Sequence, residues 1–368
     1  MQPALSVTTS TELAHALERL GGQDFIALDT EFLRESTYFP KLCLIQAATL
    51  ECCVLIDPLT VHDLDPLWVF LAGRDRTKVL HAARQDLEVL GGALGERAPP
   101  GPIFDTQIAG ALLGLPAQAG YAALVAARLG RTLQKDHTRT DWSRRPLSAE
   151  QLQYAADDVR YLAPLFIDLR DALSAAGRLE WLYEETRELE QPGLHRVDPQ
   201  SAWKRLKGLE RLQPAQRATA KLLAQWRETV AMTADKPRGW ILSDEALREL
   251  SERLPSSAHE LERIRGLPAG VVRRRGQELL ELIERGRELA SDEAATFTPP
   301  RPEPQQLARV TKMMAVVRAQ AAELGISPEL LATRRDVEQL VFSGRTRRLM
   351  NGWRRSIIGE RLVDLAGV

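Results

Sequence analysis

The chain has 368 residues, of which 44% are hydrophobic and 27% are charged, a balance that is typical of a soluble globular protein and excludes a disordered or fibrous one. One hydrophobic core seldom serves a chain of this length, so two or three domains are expected. No run of 18 or more apolar residues occurs, and the N-terminus lacks the basic start and apolar stretch of a secretory signal. The sequence therefore predicts no membrane span and a cytoplasmic location.

The formal net charge of −1 conceals an asymmetry along the chain. Residues 1–200 hold 19 Lys/Arg and 28 Asp/Glu, whereas residues 201–368 hold 30 and 22. A basic half of this kind is typical of proteins that bind a polyanion, although a solvated helical surface rich in Arg and Glu has the same composition. Nucleic acid and protein partners both stay open on charge alone.

The first half of the chain predicts an α/β domain. After a capped helix over residues 9–20, three short apolar runs predict consecutive strands: FIALDTEF (25–32), KLCLIQAA (41–48) and CCVLIDP (52–58). Strands and helices then alternate, with helices near 64–71, 86–94, 107–115 and 121–130 and strands at KVLHA (78–82) and PIFDT (102–106). The three short strands predict an antiparallel meander, and the later alternation predicts a parallel extension of the same sheet.

The remainder of the chain predicts helices. One long helix is expected over 148–173, where Ser148 and Gln151 form a capping box. Beyond about Leu173 only amphipathic helical patterns occur, and the proline-rich segment Phe297 to Pro304 predicts a linker. This linker divides the basic half into helical modules at about 200–290 and 305–368.

Two pairs of polar residues are candidates for chemistry. Asp29 and Glu31 are two apart in a predicted strand, so their carboxylates share a face and repel each other unless a cation lies between them. Tyr154 and Asp158 are four apart in a predicted helix and also share a face. Asp157 competes with Asp158, but it lies about 100° away around the helix.

Three segments in order resemble the exonuclease motifs of the DEDD superfamily in its tyrosine-bearing branch. They are the AspThrGlu of the first strand, the HisAla with Asp86 after a later strand, and Tyr154 with Asp158 on the helix. Four segments resemble sequences of the ribonuclease D family: DTEFLRESTYFPKLCLIQ, KVLHAARQDLEVL, FDTQIAGALLG and DHTRTDWSRRPLSAEQLQYAADDVRYL. Taken alone, Asp86 reads more simply as a carboxylate at a helix start.

The resemblance implies a fold and a domain plan. It implies an α/β ribonuclease H-like catalytic domain over 1–180, with a mixed five-stranded sheet and helices on both sides. Two all-α domains that resemble the helicase-and-RNase-D C-terminal (HRDC) domain would follow at 200–290 and 305–368, with the linker at 297–304.

The resemblance also implies a function. Asp29, Glu31, Asp86 and Asp158 would bind two divalent metal ions, Mg²⁺ or Mn²⁺, and Tyr154 would help to place the attacking water. The expected activity is 3′→5′ exoribonuclease hydrolysis to 5′-mononucleotides, with tRNA precursors as the RNA partner. A DNA 3′→5′ exonuclease and a non-catalytic nucleic-acid-binding protein are the alternatives. No GxxxxGK[ST] motif occurs, which argues against the use of a nucleoside triphosphate.

Candidate RNA contacts are basic or aromatic residues outside the carboxylate set. Each could equally be an ordinary structural or solvated residue, and His81 reads more simply as a strand histidine whose hydrogen bonds are satisfied. The candidates are His81, Lys135, Trp142, Arg145, Arg273, Arg274, Arg275, Arg354 and Arg355.

Overall fold

A computed structural model describes residues 3–94, 101–133, 140–191, 198–296 and 302–367. The chain divides into two compact units. The first comprises Met1–Leu33, Leu42–His195 and Pro302–Val368, and the second comprises Arg34–Lys41 and Arg196–Arg301. The α/β domain of the sequence prediction lies in the first unit.

The first unit contains one mixed sheet in the order β1-β4-β3-β2-β5-β6. Neighbours β3 and β4 are antiparallel, whereas β2 with β5 and β5 with β6 are parallel, which confirms the predicted parallel extension. The strands are β1 (Leu5–Val7), β2 (Phe25–Leu33), β3 (Lys41–Ala48), β4 (Cys53–Ile56), β5 (Thr77–Leu80) and β6 (Ile103–Asp105).

Two sequence predictions about this unit are wrong. The sheet has six strands in the described residues and not five, because the three-residue strand β1 pairs in parallel with β4 along Leu5–Val7. The helix predicted over 148–173 is two helices that meet at Tyr161, where the first ends and the second begins. A three-residue strand is too short to show an alternating pattern. The break at Tyr161 has a local cause in Pro164, which has no N–H and whose ring clashes with the carbonyl of the residue four before it, Arg160, where the first helix ends.

Helices cover both faces of the sheet. Residues Phe25 and Ala27 of β2 pack in a cluster with α6 and α7, while Ile26 and Leu28 pack in a second cluster with α1, α2 and α3, as alternation along a strand requires. The helices are α1 (Ser10–Leu20), α2 (Asp65–Ala72), α3 (Arg84–Leu94), α4 (Thr106–Leu112), α5 (Tyr121–Leu129), α6 (Ala149–Arg160), α7 (Leu162–Ala175) and α8 (Leu179–Thr186).

The second unit is helical, as predicted for 200–290. Its core contains Leu223 and Trp226 of the long central helix, with Leu250, Leu279 and Ile283 from two others. Its helices are α9 (Pro214–Ala234), α10 (Arg238–Ile241), α11 (Asp244–Arg253), α12 (Ala258–Leu261), α13 (Ala269–Glu288) and α14 (Ala290–Thr296), preceded by 3₁₀ turns at Pro199–Arg205 and Leu209–Arg211.

The C-terminal helices belong to the first unit and share its core. Val310, Met313 and Leu340 lie in the same hydrophobic cluster as Phe25 and Phe166. Most of the predicted linker at 297–304 lies outside the described residues, and Pro304 opens the next helix. The helices are α15 (Pro304–Leu324), α16 (Pro328–Leu331), α17 (Arg334–Ser343) and α18 (Glu360–Ala366). No described helix combines the length and the hydropathy that a membrane-spanning segment needs.

Candidate active site

The site begins at the polar end of β2. Asp29 and Glu31 lie on the face of this strand that carries Phe25 and Ala27 in its apolar part, because residues two apart share a face. Burial of the apolar part holds the strand against α6 and α7. The two carboxylates therefore face the same layer of helices.

Helix α6 supplies a third carboxylate and is fixed at its start. Ser148 Oγ accepts from the Gln151 N–H at 3.2 Å and Gln151 Oε1 accepts from the Ser148 N–H at 2.7 Å, so the predicted capping box is present. Ala155, Ala156 and Val159 bury one face of this helix in the core. One carboxylate oxygen each of Asp29, Glu31 and Asp158 lies within 4.8 Å of the other two, in a group that is partly buried.

The pKa values of all three carboxylates are raised. Burial is the largest cause for each of them, followed by the charges of neighbouring acids. The pKa of Asp29 lies well above its ordinary value of 3.8, that of Glu31 rises to about 8 and that of Asp158 rises to about 7. The folded site thus disfavours the ionised form of each group, because its protein surroundings do not compensate the negative charge.

This arrangement fits a divalent metal ion. Three carboxylates from two elements offer the hard oxygen ligands that Mg²⁺ and Mn²⁺ prefer. A bound cation would also remove the repulsion that raises their pKa values.

Asp86 stands beside this group in the first turn of α3, and it is 7% exposed. Its Oδ1 accepts a hydrogen bond from Thr30 Oγ1 at 2.6 Å, and burial raises its pKa to about 6. The charge of Asp86 raises the pKa values of Asp29 and Glu31, which places it within electrostatic reach of both. Among the described residues, however, the tight ligand group contains only the other three carboxylates.

Tyr154 lies one turn before Asp158 on α6 and donates a hydrogen bond to its carboxylate. Burial and the nearby carboxylates raise the pKa of this phenol, so it stays protonated at neutral pH. The Trp142 ring packs beside it, with centroids 6.1 Å apart. Asp157, the competing acid, instead accepts from Gln153 at 2.9 Å and from Arg160 at 3.1 Å.

The loop before α6 gives little support to the predicted RNA contacts there. Trp142 is 3% exposed and belongs to the core. Arg145 Nη2 donates to Asp57 Oδ1 at 2.8 Å and to the Cys43 carbonyl at 2.7 Å. Both side chains thus hold the loop against the sheet. Lys135 lies outside the described residues.

The helical candidates differ among themselves. Arg273, Arg274 and Arg275 are exposed on α13, where Arg275 pairs with Glu278 at 3.0 Å. Arg355 is exposed and pairs with Glu360 at 3.0 Å.

Arg354 and His81 are held inside the first unit. Arg354 is 5% exposed and pairs with Glu185, with Nη2 and Oε2 2.8 Å apart, so its guanidinium is held in a structural ion pair. His81 Nδ1 lies 2.9 Å from Thr106 Oγ1, whereas its buried Nε2 has no hydrogen-bond partner among the described residues, so only one ring nitrogen agrees with the simpler reading of a satisfied strand histidine.

Two residues beside the site were not singled out by the sequence. Thr30 donates to Asp86, and Tyr121 OH donates to the Asp157 carbonyl at 3.2 Å. The charges of Asp158 and Asp29 contribute, after burial, to the raised pKa of Tyr121, which therefore lies near both. Thr30 had a signal, its place between the two carboxylates of β2, whereas Tyr121 occurs in an ordinary apolar helix pattern.

Comparison with known families identifies both parts of the chain. A family described as 3′-5′ exonuclease matches residues 5–174, and one described as HRDC domain matches residues 216–283. The exonuclease match includes all five residues of the predicted catalytic set. The sheet with its flanking helices is thus a ribonuclease H-like exonuclease domain, followed by an HRDC helical region. A second HRDC domain at 305–368 stays a prediction.

Whole-chain comparisons agree. Ribonuclease D of Acidiphilium cryptum is 37% identical over 100% of this chain and 93% of its own length, and that of Zymomonas mobilis is 37% identical over 98% and 93%. The crystal structure of Escherichia coli RNase D, an exoribonuclease involved in structured RNA processing, is 33% identical with a TM-score of 0.88, covering 100% of this chain and 99% of that one. With the carboxylates of the exonuclease motifs in place, the chain belongs to the ribonuclease D family.

Proposed function

We propose that this protein is a 3′→5′ exoribonuclease that uses two divalent ions, Mg²⁺ or Mn²⁺, and releases 5′-mononucleotides. The observation that carries the proposal is the convergence of Asp29, Glu31 and Asp158 within 4.8 Å, with Tyr154 hydrogen-bonded to Asp158. The similarity to a solved exoribonuclease over the whole chain supports RNA as the substrate.

The residues would divide the work as follows. Asp29, Glu31, Asp86 and Asp158 would hold the ions, with Asp86 completing the set from α3. Two such ions would supply the means to lower the pKa of an attacking water and to stabilise the charge on the leaving 3′-oxygen.

Tyr154 would orient the attacking water. Its phenol is protonated and therefore cannot serve as a base at neutral pH. It can donate one hydrogen bond and accept another, so it can fix a water in line with the scissile phosphate. Trp142 limits the movement of the tyrosine ring by packing against it.

We further propose that the RNA is a tRNA precursor and that Arg273, Arg274 and Arg275 contact its backbone. These side chains are exposed on one helix of the second unit. Residues 201–368 are basic overall, with 30 Lys/Arg and 22 Asp/Glu. Arginine in such a position pairs with phosphate without reading the base sequence.

The chemistry is tested with Asp29→Asn and Asp158→Asn, each compared with Asp157→Asn. The first two changes remove a charge from the ligand group, so hydrolysis of a 3′-extended tRNA in Mg²⁺ should fall by more than about 100-fold while RNA binding is retained. The control removes the same charge one residue away, where the acid pairs with Arg160 at 3.1 Å, and should lose less than about 3-fold.

Matched RNA and DNA oligomers in the same assay test the sugar preference. Full activity of Asp158→Asn would show that the carboxylate group is not the catalytic centre. Equal or faster hydrolysis of DNA would replace the RNA assignment by a DNA exonuclease.

A further inference from the structure

Thr30 lies between the two carboxylates of β2 but points to the opposite face of the sheet. Its Oγ1 donates to Asp86 Oδ1 at 2.6 Å, and the two residues are 6% and 7% exposed. A hydrogen bond to an ionised carboxylate is short and about twice as strong as one between neutral groups. The contact also joins residues 56 positions apart in the sequence.

The carboxylate of Asp86 reaches the site from the other layer of helices. Leu87 and Leu90 of α3 pack in the cluster that contains Ile26 and Leu28, the residues that share the Thr30 face of β2. Asp158 comes instead from α6, whose buried residues lie in the opposite cluster. Nevertheless the charge of Asp86 acts on both Asp29 and Glu31.

We propose that Thr30 is a positioning residue that sets the orientation of the Asp86 carboxylate toward the metal site. The segment Asp29-Thr30-Glu31 would then place three of the four carboxylates, two directly and the third through the threonine hydroxyl. Packing alone fixes where α3 lies, but a carboxylate at a helix start turns about its own side-chain bonds. The backbone N–H groups of Thr30 and Asp86 also hydrogen-bond this carboxylate, and the hydroxyl adds the side-chain contact that restricts its orientation. The inference rests on the proposed metal-dependent function.

The test compares Thr30→Val with Thr30→Ser by titrating Mn²⁺ calorimetrically in the absence of RNA. Valine keeps the shape and removes the donor, whereas serine keeps the donor. We expect valine to weaken Mn²⁺ binding by about 10-fold or more, and serine to stay within about 3-fold of the parent. In hydrolysis, valine should lower kcat with little change in KM, because RNA binding does not involve Thr30.

A matched control and a second background separate positioning from packing. Thr186 is 0% exposed and donates to the Leu182 carbonyl at 3.1 Å within α8, so Thr186→Val removes a buried hydroxyl elsewhere and should leave Mn²⁺ affinity unchanged. When Asp86 is already alanine, adding Thr30→Val should change affinity by less than about 2-fold, because the acceptor of the Thr30 hydroxyl is gone. If Thr30→Val does not fold, Thr30→Cys replaces it, since a thiol is a weak donor.

The outcomes are distinct. Parent-like Mn²⁺ affinity in the valine variant, or equal losses in the valine and serine variants, would overturn the role of the hydroxyl. If the parent itself neither binds Mn²⁺ nor hydrolyses RNA, the proposed function fails and the inference fails with it. A parent that does both, with an unaffected valine variant, removes only the inference.

Discussion

At the scale of single residues, folding concentrates negative charge at the end of β2. Asp29, Glu31 and Asp158 lie within 4.8 Å of one another, and the pKa values of all three are raised. Without a metal ion, the folded protein therefore holds protons at these groups that the unfolded chain would release. The site is unfavourable for stability at neutral pH, and the proposed metal ions would offset this effect.

This charge predicts how stability depends on pH without metal. A pKa of about 8 for Glu31 and about 7 for Asp158 in the folded state exceeds the ordinary values of 4.5 and 3.8, so their contribution to stability is present at low pH and is lost as pH rises toward 8. The melting temperature in EDTA should fall from about pH 5 to about pH 8. Mn²⁺ should raise it more at about pH 8 than at about pH 6, where protons compete for the carboxylates.

The control for this pH dependence is Glu31→Gln, which removes one of the titrating groups. Differential scanning fluorimetry should show a shallower fall with pH for this variant in EDTA. A parent melting temperature that does not fall over this range, or a variant with an unchanged slope, would contradict the electrostatic account of the site.

The sequence predicted some site residues from their spacing and others only from the family resemblance. Spacing placed Asp29 with Glu31 on one strand face and Tyr154 with Asp158 on one helix face. This was possible because the repeat of two residues in a strand and of about 3.6 in a helix relates neighbours in the sequence. Asp86 came only from the family resemblance, since its neighbours in space are distant in sequence. Trp142 and Arg145 were expected at the RNA, but a loop with an aromatic and cations has the same composition when those side chains fold back onto the sheet.

At the scale of elements, α8 anchors the C-terminal helices to the catalytic part of the first unit. The Trp181 and Trp353 rings stack with centroids 4.4 Å apart and planes 6° apart. Arg354 forms its bidentate pair with Glu185 and donates from Nε to the Leu330 carbonyl at 2.7 Å. Residues 302–368 therefore form part of the catalytic unit and are not an independently folded appendage.

Arg354→Ala should destabilise the first unit. The change leaves Glu185, which is 21% exposed as a side chain, without its partner, and removing one member of a buried pair costs about 3 kcal/mol or more. Arg355→Ala is the matched control, because its side chain is 61% exposed and its pair with Glu360 is worth less than about 1 kcal/mol. Urea unfolding followed by tryptophan fluorescence measures both, and equal stabilities of the two variants would contradict the anchoring role.

The elements themselves were predicted where their patterns are local and strong. β3 runs over Lys41–Ala48, the predicted range, because an apolar run between polar segments defines it. β1 depends on pairing with β4, which no short window of sequence contains. The break at Tyr161 did have a local signal, because Pro164 cannot donate a hydrogen bond to the Arg160 carbonyl, but the prediction made no use of it. The grouping of 305–368 with the first unit depends instead on contacts with α8.

At the scale of the whole molecule, the chain joins an acidic part that holds the carboxylates to a basic part. The first 200 residues contain 28 Asp/Glu against 19 Lys/Arg, and the remaining 168 reverse the balance. A negatively charged site repels RNA until cations bind, so positive charge elsewhere has to supply the attraction.

The double variant Arg273→Ala/Arg274→Ala tests this attraction. If both side chains contact phosphates, RNA affinity should fall for every sequence tested, and the slope of log affinity against log salt should decrease by about 1.4. Arg334→Ala/Arg335→Ala removes the same charge from exposed residues of α17 and serves as the control. RNA affinity is measured by filter binding. Equal losses of affinity in the two variants would show that only the net charge of the protein matters and that Arg273 and Arg274 make no specific phosphate contact.

The measurement that tests the account most directly is a time course on a 5′-labelled tRNA with a 3′ extension, with and without Mg²⁺, in which the released products are identified. The account predicts shortening by single nucleotides from the 3′ end, release of 5′-mononucleotides and no reaction in EDTA. Internal cleavage, 3′-phosphorylated products or full activity without divalent metal would contradict it.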